Sequence, residues 1–121
     1  MEWSFHSNQP IYTQLIEQLT LAILSGEYPT GGKLPAVREL AAEAGVNPNT
    51  MQRALAQMEQ EGVLYTNRTA GRHVASDPEK IRSLRRQIAE DEIARMFGKL
   101  QGIGMSKEEI TAAVDAWSRE A

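Results

Sequence analysis

The stretch GVNPNTMQRALAQMEQEG, residues Gly45–Gly62, holds a helix with a start signal, an apolar side and a polar side that needs a purpose. Asn47 followed by Pro48 starts it. The asparagine side chain can accept from free backbone amides, and proline at the first helical position has no N–H to lose. With successive residues turned by about 100°, Met51, Ala54, Leu55 and Met58 gather on one side. Asn49, Arg53, Ala56, Gln57 and Gln60 face away from them, and Gln52 lies on the flank. The apolar side anchors the helix. The other side is either solvated decoration or a surface built to touch a partner, and the flanking chain has to decide.

Upstream, Trp3 and Phe5 alternate like a short strand. Pro10 then opens a helix with Ile11, Leu15, Leu19, Ala22 and Ile23 on one stripe, which Gly26 ends. Tyr28–Gly32 is a turn-rich loop; Pro35 then sits where a first helical turn tolerates it, and Val37, Leu40, Ala41 and Ala44 give a short second helix up to Gly45. Downstream of Gly62, Val63–Thr66 and Arg72–Ala75 read as two short strands joined by Asn67–Gly71. Helix, helix, short turn, helix, hairpin is the order of a winged helix-turn-helix, whose third helix enters a DNA major groove while the hairpin reaches alongside. The fold expected is mainly α with a small β hairpin: a winged helix-turn-helix over residues 1–75, followed by a two-helix dimerisation tail over residues 76–121.

The tail has its own start signals. Asp77-Pro78-Glu79 repeats the cap-plus-proline pattern ahead of a long helix with Ile81, Leu84, Ile88, Ile93, Met96 and Leu100 on a drifting stripe, loosened at its end by Gly98, Gly102 and Gly104. Ser106-Lys107-Glu108-Glu109 is a capping box, Met105 and Ile110 can form a hydrophobic staple, and Ile110, Ala113, Val114 and Trp117 make an amphipathic face. So short a tail cannot bury two apolar stripes within itself, because units below roughly 40 to 60 residues struggle to stand alone. A second copy of the chain is the simplest cover. The dimerisation surface is therefore assigned to Ile81, Leu84, Ile88, Ile93, Met96, Phe97, Leu100, Ile110, Val114 and Trp117.

Bulk properties narrow the function. The 121 residues contain no cysteine, which removes thiolate chemistry, disulfides and thiolate metal sites and fits a reducing cytoplasm. No apolar run approaches the roughly 18 residues of a membrane span, and Met1-Glu2-Trp3-Ser4 lacks the regions of a signal peptide, so a cytoplasmic location without membrane attachment is expected. An enzyme is disfavoured: His6 and His73 are the only histidines, and no serine or aspartate lies in a nucleophile motif. Glu90-Asp91-Glu92 points its side chains in different directions on a helix and reads as a solvated acidic stretch, so no metal and no cofactor is expected. A net charge of −3 weighs against nucleic acid. From Lys33 to Ala75, however, five basic residues face four acidic ones, and what matters is where they point.

The blocks Leu34-Pro35-Ala36-Val37-Arg38-Glu39-Leu40-Ala41, Gly45-Val46-Asn47-Pro48-Asn49-Thr50-Met51-Gln52-Arg53-Ala54 and Glu59, Glu61-Gly62, with Pro10-Ile11-Tyr12 and Ala22–Gly26 before them, resemble the GntR family of bacterial transcription regulators. The resemblance covers roughly residues 10 to 75. The short two-helix tail and the Val-Asn-Pro-Asn-Thr wording are similar to the YtrA-type subfamily, since larger relatives carry a separate ligand-binding domain for which this chain has no room. The resemblance implies a dimeric winged-helix repressor on a palindromic double-stranded DNA operator. It allows for a small-molecule effector sensed by the tail, where Trp117, Phe97 and Met96 could line an apolar pocket, although such residues at helical spacing are more often dimer core.

Carried onto this sequence, the family pattern makes Arg38 a backbone contact at the start of the second helix. It places Asn47, Asn49 and Thr50 at the amino end of the reading helix, where backbone amides and polar side chains can meet phosphate. Gln52 and Arg53 are assigned to base edges, because arginine bonds guanine and glutamine adenine in bidentate fashion, each worth about 1 to 3 kcal/mol of discrimination. Better-known members often carry arginine where Pro48 and Gln52 stand, so their operator sequence does not transfer. The usual Gly-Lys-Gly wing tip is Thr69-Ala70-Gly71 here: Gly71 keeps the positive-φ turn, a basic residue is lost, and Arg68 and Arg72 remain to reach DNA. A winged helix that binds another protein and never touches DNA is the rival reading, which the acidic total would suit.

Overall fold

Asn47-Pro48, Asp77-Pro78 and Ser106 each start a helix in the computed structural model, which describes residues 1–121, whereas Pro35, expected in the first turn of the second helix, lies just before its N-cap residue Ala36. In order the elements are α1 (Ile11–Leu24), α2 (Val37–Ala44), α3 (Pro48–Gln60), β1 (Leu64–Asn67), β2 (Gly71–Val74), α4 (Pro78–Gly102) and α5 (Lys107–Glu120). Gly45 ends α2 at φ +71°, a left-handed conformation that costs glycine little and lets the chain turn at once toward α3. Asn47 Oδ1 accepts from the Asn49 amide at 2.7 Å, with Pro48 at the first helical position. Ser106 and Glu109 close their capping box reciprocally, at 3.1 Å and 2.9 Å.

Contacts divide the chain into Met1–Ser83 and Leu84–Ala121. In the first unit α3 packs on α1, α2 and β1. Its apolar side, Met51, Ala54, Leu55 and Met58, is fully buried with Leu15, Leu19, Leu40, Val63, Leu64 and Val74. Burial of a side chain of this size stabilises by about 1.5 to 3 kcal/mol, so the core decides which way α3 faces. The first turn of α4 belongs to this unit: Asp77 Oδ1 accepts from the Glu79 amide at 3.0 Å, and Ile81 is buried.

The hairpin pairs Leu64 with Val74 through Asn67 with Gly71, leaving Arg68, Thr69 and Ala70 as its tip. A third rung joins it from the segment before α2. Lys33 bridges His73, the Leu34 amide donates to the Arg72 carbonyl at 2.9 Å, and the Val74 amide donates to the Gly32 carbonyl at 2.9 Å.

The strand expected around Trp3 and Phe5 does not form, because no strand lies beside that segment. Two α1 glutamines one turn apart bind its backbone instead. Gln18 donates to the Ser4 carbonyl at 2.7 Å and accepts from the Ser4 amide at 3.1 Å. Gln14, only 2% exposed, accepts from the His6 amide at 3.0 Å and donates to the carbonyls of His6 and Gln9. Trp3 and Phe5 stack with ring centres 6.2 Å apart. Their alternation reflects an extended chain, and side-chain amides supply what a neighbouring strand would have offered.

In the second unit α4 continues through Gly98 to Gly102 before α5 begins. Of the apolar side chains assigned to dimerisation, Ile81 and Ile110 are buried within the single chain. Leu84, Ile88, Met96, Phe97 and Leu100 are half-buried, and Ile93, Val114 and Trp117 are exposed, the tryptophan at 70%. No helix is long and apolar enough to cross a membrane.

Candidate nucleic-acid interface

With its apolar side held in the core, α3 turns Asn49, Gln52, Arg53, Ala56, Gln57 and Gln60 to solvent. The polar face read from the sequence is thus an exposed surface, with the hairpin tied to its far end; Arg38 lies in the first turn of α2, which packs against α3. Arg38 is exposed, as a side chain reaching for a DNA backbone must be.

The amino end of α3 differs from expectation in one respect. Pro48 has no N–H, Asn47 Oδ1 takes the Asn49 amide, and the Thr50 and Met51 amides donate to the Asn47 carbonyl at 3.0 Å and 3.1 Å. Capping has already used the backbone donors that were to meet phosphate. What remains is the positive end of the helix dipole, the side chains of Asn49 and Thr50, and the amide nitrogen of Asn47. Thr50 is half-buried and Asn49 exposed.

Arg53 lies over the ring of Tyr12 on α1, its guanidinium carbon 3.7 Å from the ring centre. Gln52 is exposed on the flank, and Gln57 is occupied along the helix, donating to Glu61 at 3.0 Å. Facing the hairpin, Glu59 ties the end of α3 to both strands: it accepts from the Thr66 hydroxyl and, at 2.7 Å, from Arg72 Nε. These donors hold the Glu59 carboxyl below its usual range, the Thr66 bond contributing most and Arg72 next. Arg72, with its side chain 16% exposed, is therefore first a strut between wing and reading helix, and only its remaining nitrogens are left for DNA.

At the wing tip Arg68 is exposed, and Asn67 Oδ1 accepts from the Thr69 amide at 3.1 Å in a local turn. Gly71 closes the tip at φ +91°, with Lys33 Cε 3.1 Å from where a side chain on it would begin. His73 stacks on Tyr65 with ring centres 5.4 Å apart.

Asn47, Asn49, Thr50, Gln52 and Arg53 lie at the start and on the amino half of α3, Arg38 lies on α2, which packs against α3, and Arg68, Gly71 and Arg72 lie in the wing. Tyr12 and Glu59 were missed as parts of this surface. Both act through partners far along the chain, and only a half-buried tyrosine or glutamate opposite an arginine reveals them. No cluster of three or more His, Asp or Glu side chains could hold a metal ion.

Residues 11–74 match the profile of bacterial regulatory proteins of the gntR family. The chain belongs to the GntR family. Over 118 residues it is 31% identical to the HTH-type transcriptional regulator YhcF of Bacillus subtilis, covering 98% of each chain. It is 41% identical to the HTH-type transcriptional repressor YtrA of the same organism over 71 residues, 59% of this chain and 55% of that one. A GntR family transcriptional regulator from Listeria monocytogenes shares the fold at a TM-score of 0.85 and 36% identity, over 93% of this chain and 98% of that one. The DNA-binding domain of AraR in complex with its operator ORX1 superposes at a TM-score of 0.56 with 28% identity, over 62% of this chain and 96% of that one. This GntR-family chain is a DNA-binding transcriptional regulator of the YtrA type, a winged helix-turn-helix protein whose partner is DNA.

Proposed function

We propose that this GntR-family regulator is a repressor that binds a palindromic operator as a homodimer, with residues 1–75 reading DNA and residues 76–121 joining two copies. The observation that carries the reading is the exposed polar face of α3, anchored by a buried opposite side and tied at its end to the wing. On that face Gln52 and Arg53 meet base edges, while Arg38, Asn47, Asn49, Thr50 and Arg68 meet phosphate or sugar. Gly71 and Arg72 shape the wing that lies alongside. Repression is supported by the likeness to YtrA, which is named a repressor.

The homodimer is supported by apolar side chains left in water on the tail, Ile93, Val114 and Trp117, with Leu84, Ile88, Met96, Phe97 and Leu100 half-covered between and around them. A two-fold pair of reading helices matches half-sites about 34 Å apart, which is why the operator is a palindrome. The same tail is where a small effector would act, by changing the spacing of the two readers. An operator on the chromosome places this work in the cytoplasm.

The test is selection of bound duplexes from a random-sequence pool, followed by affinity measurements over a salt series. Palindromic winners whose binding weakens steeply with salt, and is weakened but still measurable at low salt in Arg38→Ala and Arg53→Ala proteins that remain folded, are expected. Undiminished binding by both variants would sink the assigned face.

A further inference from the structure

We propose that Tyr12, on the first turn of α1, is the positioning residue that sets the base specificity of Arg53. The inference rests on Arg53 reading a base edge and adds how that side chain is held ready. Arginine on an open helix face swings through many rotamers, and a bidentate bond to guanine requires one of them. The Tyr12 ring removes much of that freedom, because the guanidinium carbon sits 3.7 Å from its centre, at contact distance over the face of the π system. A cation over a ring is drawn to the negative face of the quadrupole.

Arg53 on α3 and Arg72 on β2 are restrained in different ways. Arg72 is held through a donor, its Nε engaged by Glu59, which removes that N–H from any other use. Arg53 is held over an aromatic face, a contact that needs none of its five N–H donors. It is therefore ordered while its donors stay available to a base. Tyr12 is suited to the task because it is half-buried on a helix that packs directly against α3, so the ring is fixed relative to the reading face. A leucine could fill the same space but would offer no charged attraction.

The experiment uses the full chain and the duplex recovered by random-pool selection, with Tyr12→Leu, Tyr12→Phe and Arg53→Ala tested singly and Tyr12→Leu combined with Arg53→Ala. Tyr12→Leu should weaken binding roughly three- to tenfold. A renewed selection with it should show degenerate bases at the position that Arg53→Ala also leaves unspecified. Tyr12→Phe keeps the ring and should restore both affinity and selectivity. In the Arg53→Ala background, Tyr12→Leu should change nothing further. Thermal melting checks each fold, and Tyr12→Met replaces the leucine variant should that one melt.

Wild-type selectivity in Tyr12→Leu, or an equal loss from it with and without Arg53, overturns the proposal and leaves the reading of Arg53 intact. An Arg53→Ala protein that selects the same bases with the same affinity overturns the base-reading assignment, and this positioning role with it.

Discussion

Glu59 lies nearly two helical turns beyond Arg53 and joins three elements through one carboxylate. Its pKa is held below the ordinary value of 4.5, first by the Thr66 hydroxyl and then by Arg72. A carboxylate lowered in this way stabilises the fold at pH above its ordinary value and loses that contribution as pH falls through the lowered one. Acid unfolding measured from pH 5 down to pH 3 should therefore show stability falling below about 4.5. Glu59→Gln should begin about 1 kcal/mol less stable at pH 7, a partly exposed pair being worth less than a buried one, and fall less across the acid range. The difference between the two proteins isolates Glu59 from Glu109, whose carboxyl is also lowered, by its bonds to Ser106. Gly71→Ala should destabilise the wing, because φ +91° is strained for alanine and Lys33 must move from 3.1 Å away. Gly71 was legible from the sequence as a turn glycine. The Glu59 strut was not, since its partner Arg72 becomes a neighbour only once the hairpin folds back on α3.

Helix ends show the closest agreement between sequence and structure, because their chemistry is contained within a few residues. Asn47→Ala should cost about 1 kcal/mol in urea unfolding, the usual value of such a cap. It also frees the Asn49 amide now bound at 2.7 Å, so any effect on DNA binding must be read after correction for stability. The amino-terminal segment obeys a different logic, with two glutamine amides standing in for a missing strand. Gln14→Leu keeps the bulk but leaves the His6 amide, the His6 carbonyl and the Gln9 carbonyl without their partner. Amide hydrogen exchange at His6 should accelerate on that substitution, while Ser4 remains protected through Gln18. Unchanged exchange at His6 would show that the clamp holds nothing. Alternation of Trp3 and Phe5 indicated an extended chain, but periodicity alone cannot say whether a strand or a side chain meets its backbone.

For the molecule as a whole, the acidic total of −3 and DNA binding are reconciled by placement. Arg38, Arg53 and Arg68 are all exposed on the unit that carries α3, and attraction falls off within about 10 Å at ordinary salt, so near charges outweigh the sum. Removing a side chain that neutralises one phosphate should reduce the slope of log affinity against log salt by about 0.9. Arg38→Ala, acting once in each half of the proposed dimer, should lower it by roughly two. Trp117, at 70% exposure, tests the tail. Trp117→Asp should convert a dimer into a monomer by light scattering and weaken operator binding strongly, because one winged domain then engages one half-site alone. A wild-type chain that scatters as a monomer would count against this assembly.

Local chemistry made much of this protein legible in one dimension. Caps, prolines, glycines and the apolar stripe of Gly45–Gly62 act between near neighbours, so they specified five helices, a hairpin and which side of α3 would be buried. Spaced motifs carried the family for the same reason, each block being a local solution to a turn or a cap. Tertiary structure decided what depends on pairs distant in the chain. Arg53 rests on Tyr12, Arg72 is spent partly on Glu59, the strand expected at Trp3 is replaced by Gln14 and Gln18, and the amides at the start of α3 are already satisfied. Periodicity identifies a face, but the neighbours of a side chain on that face are set by how the helices and the hairpin pack.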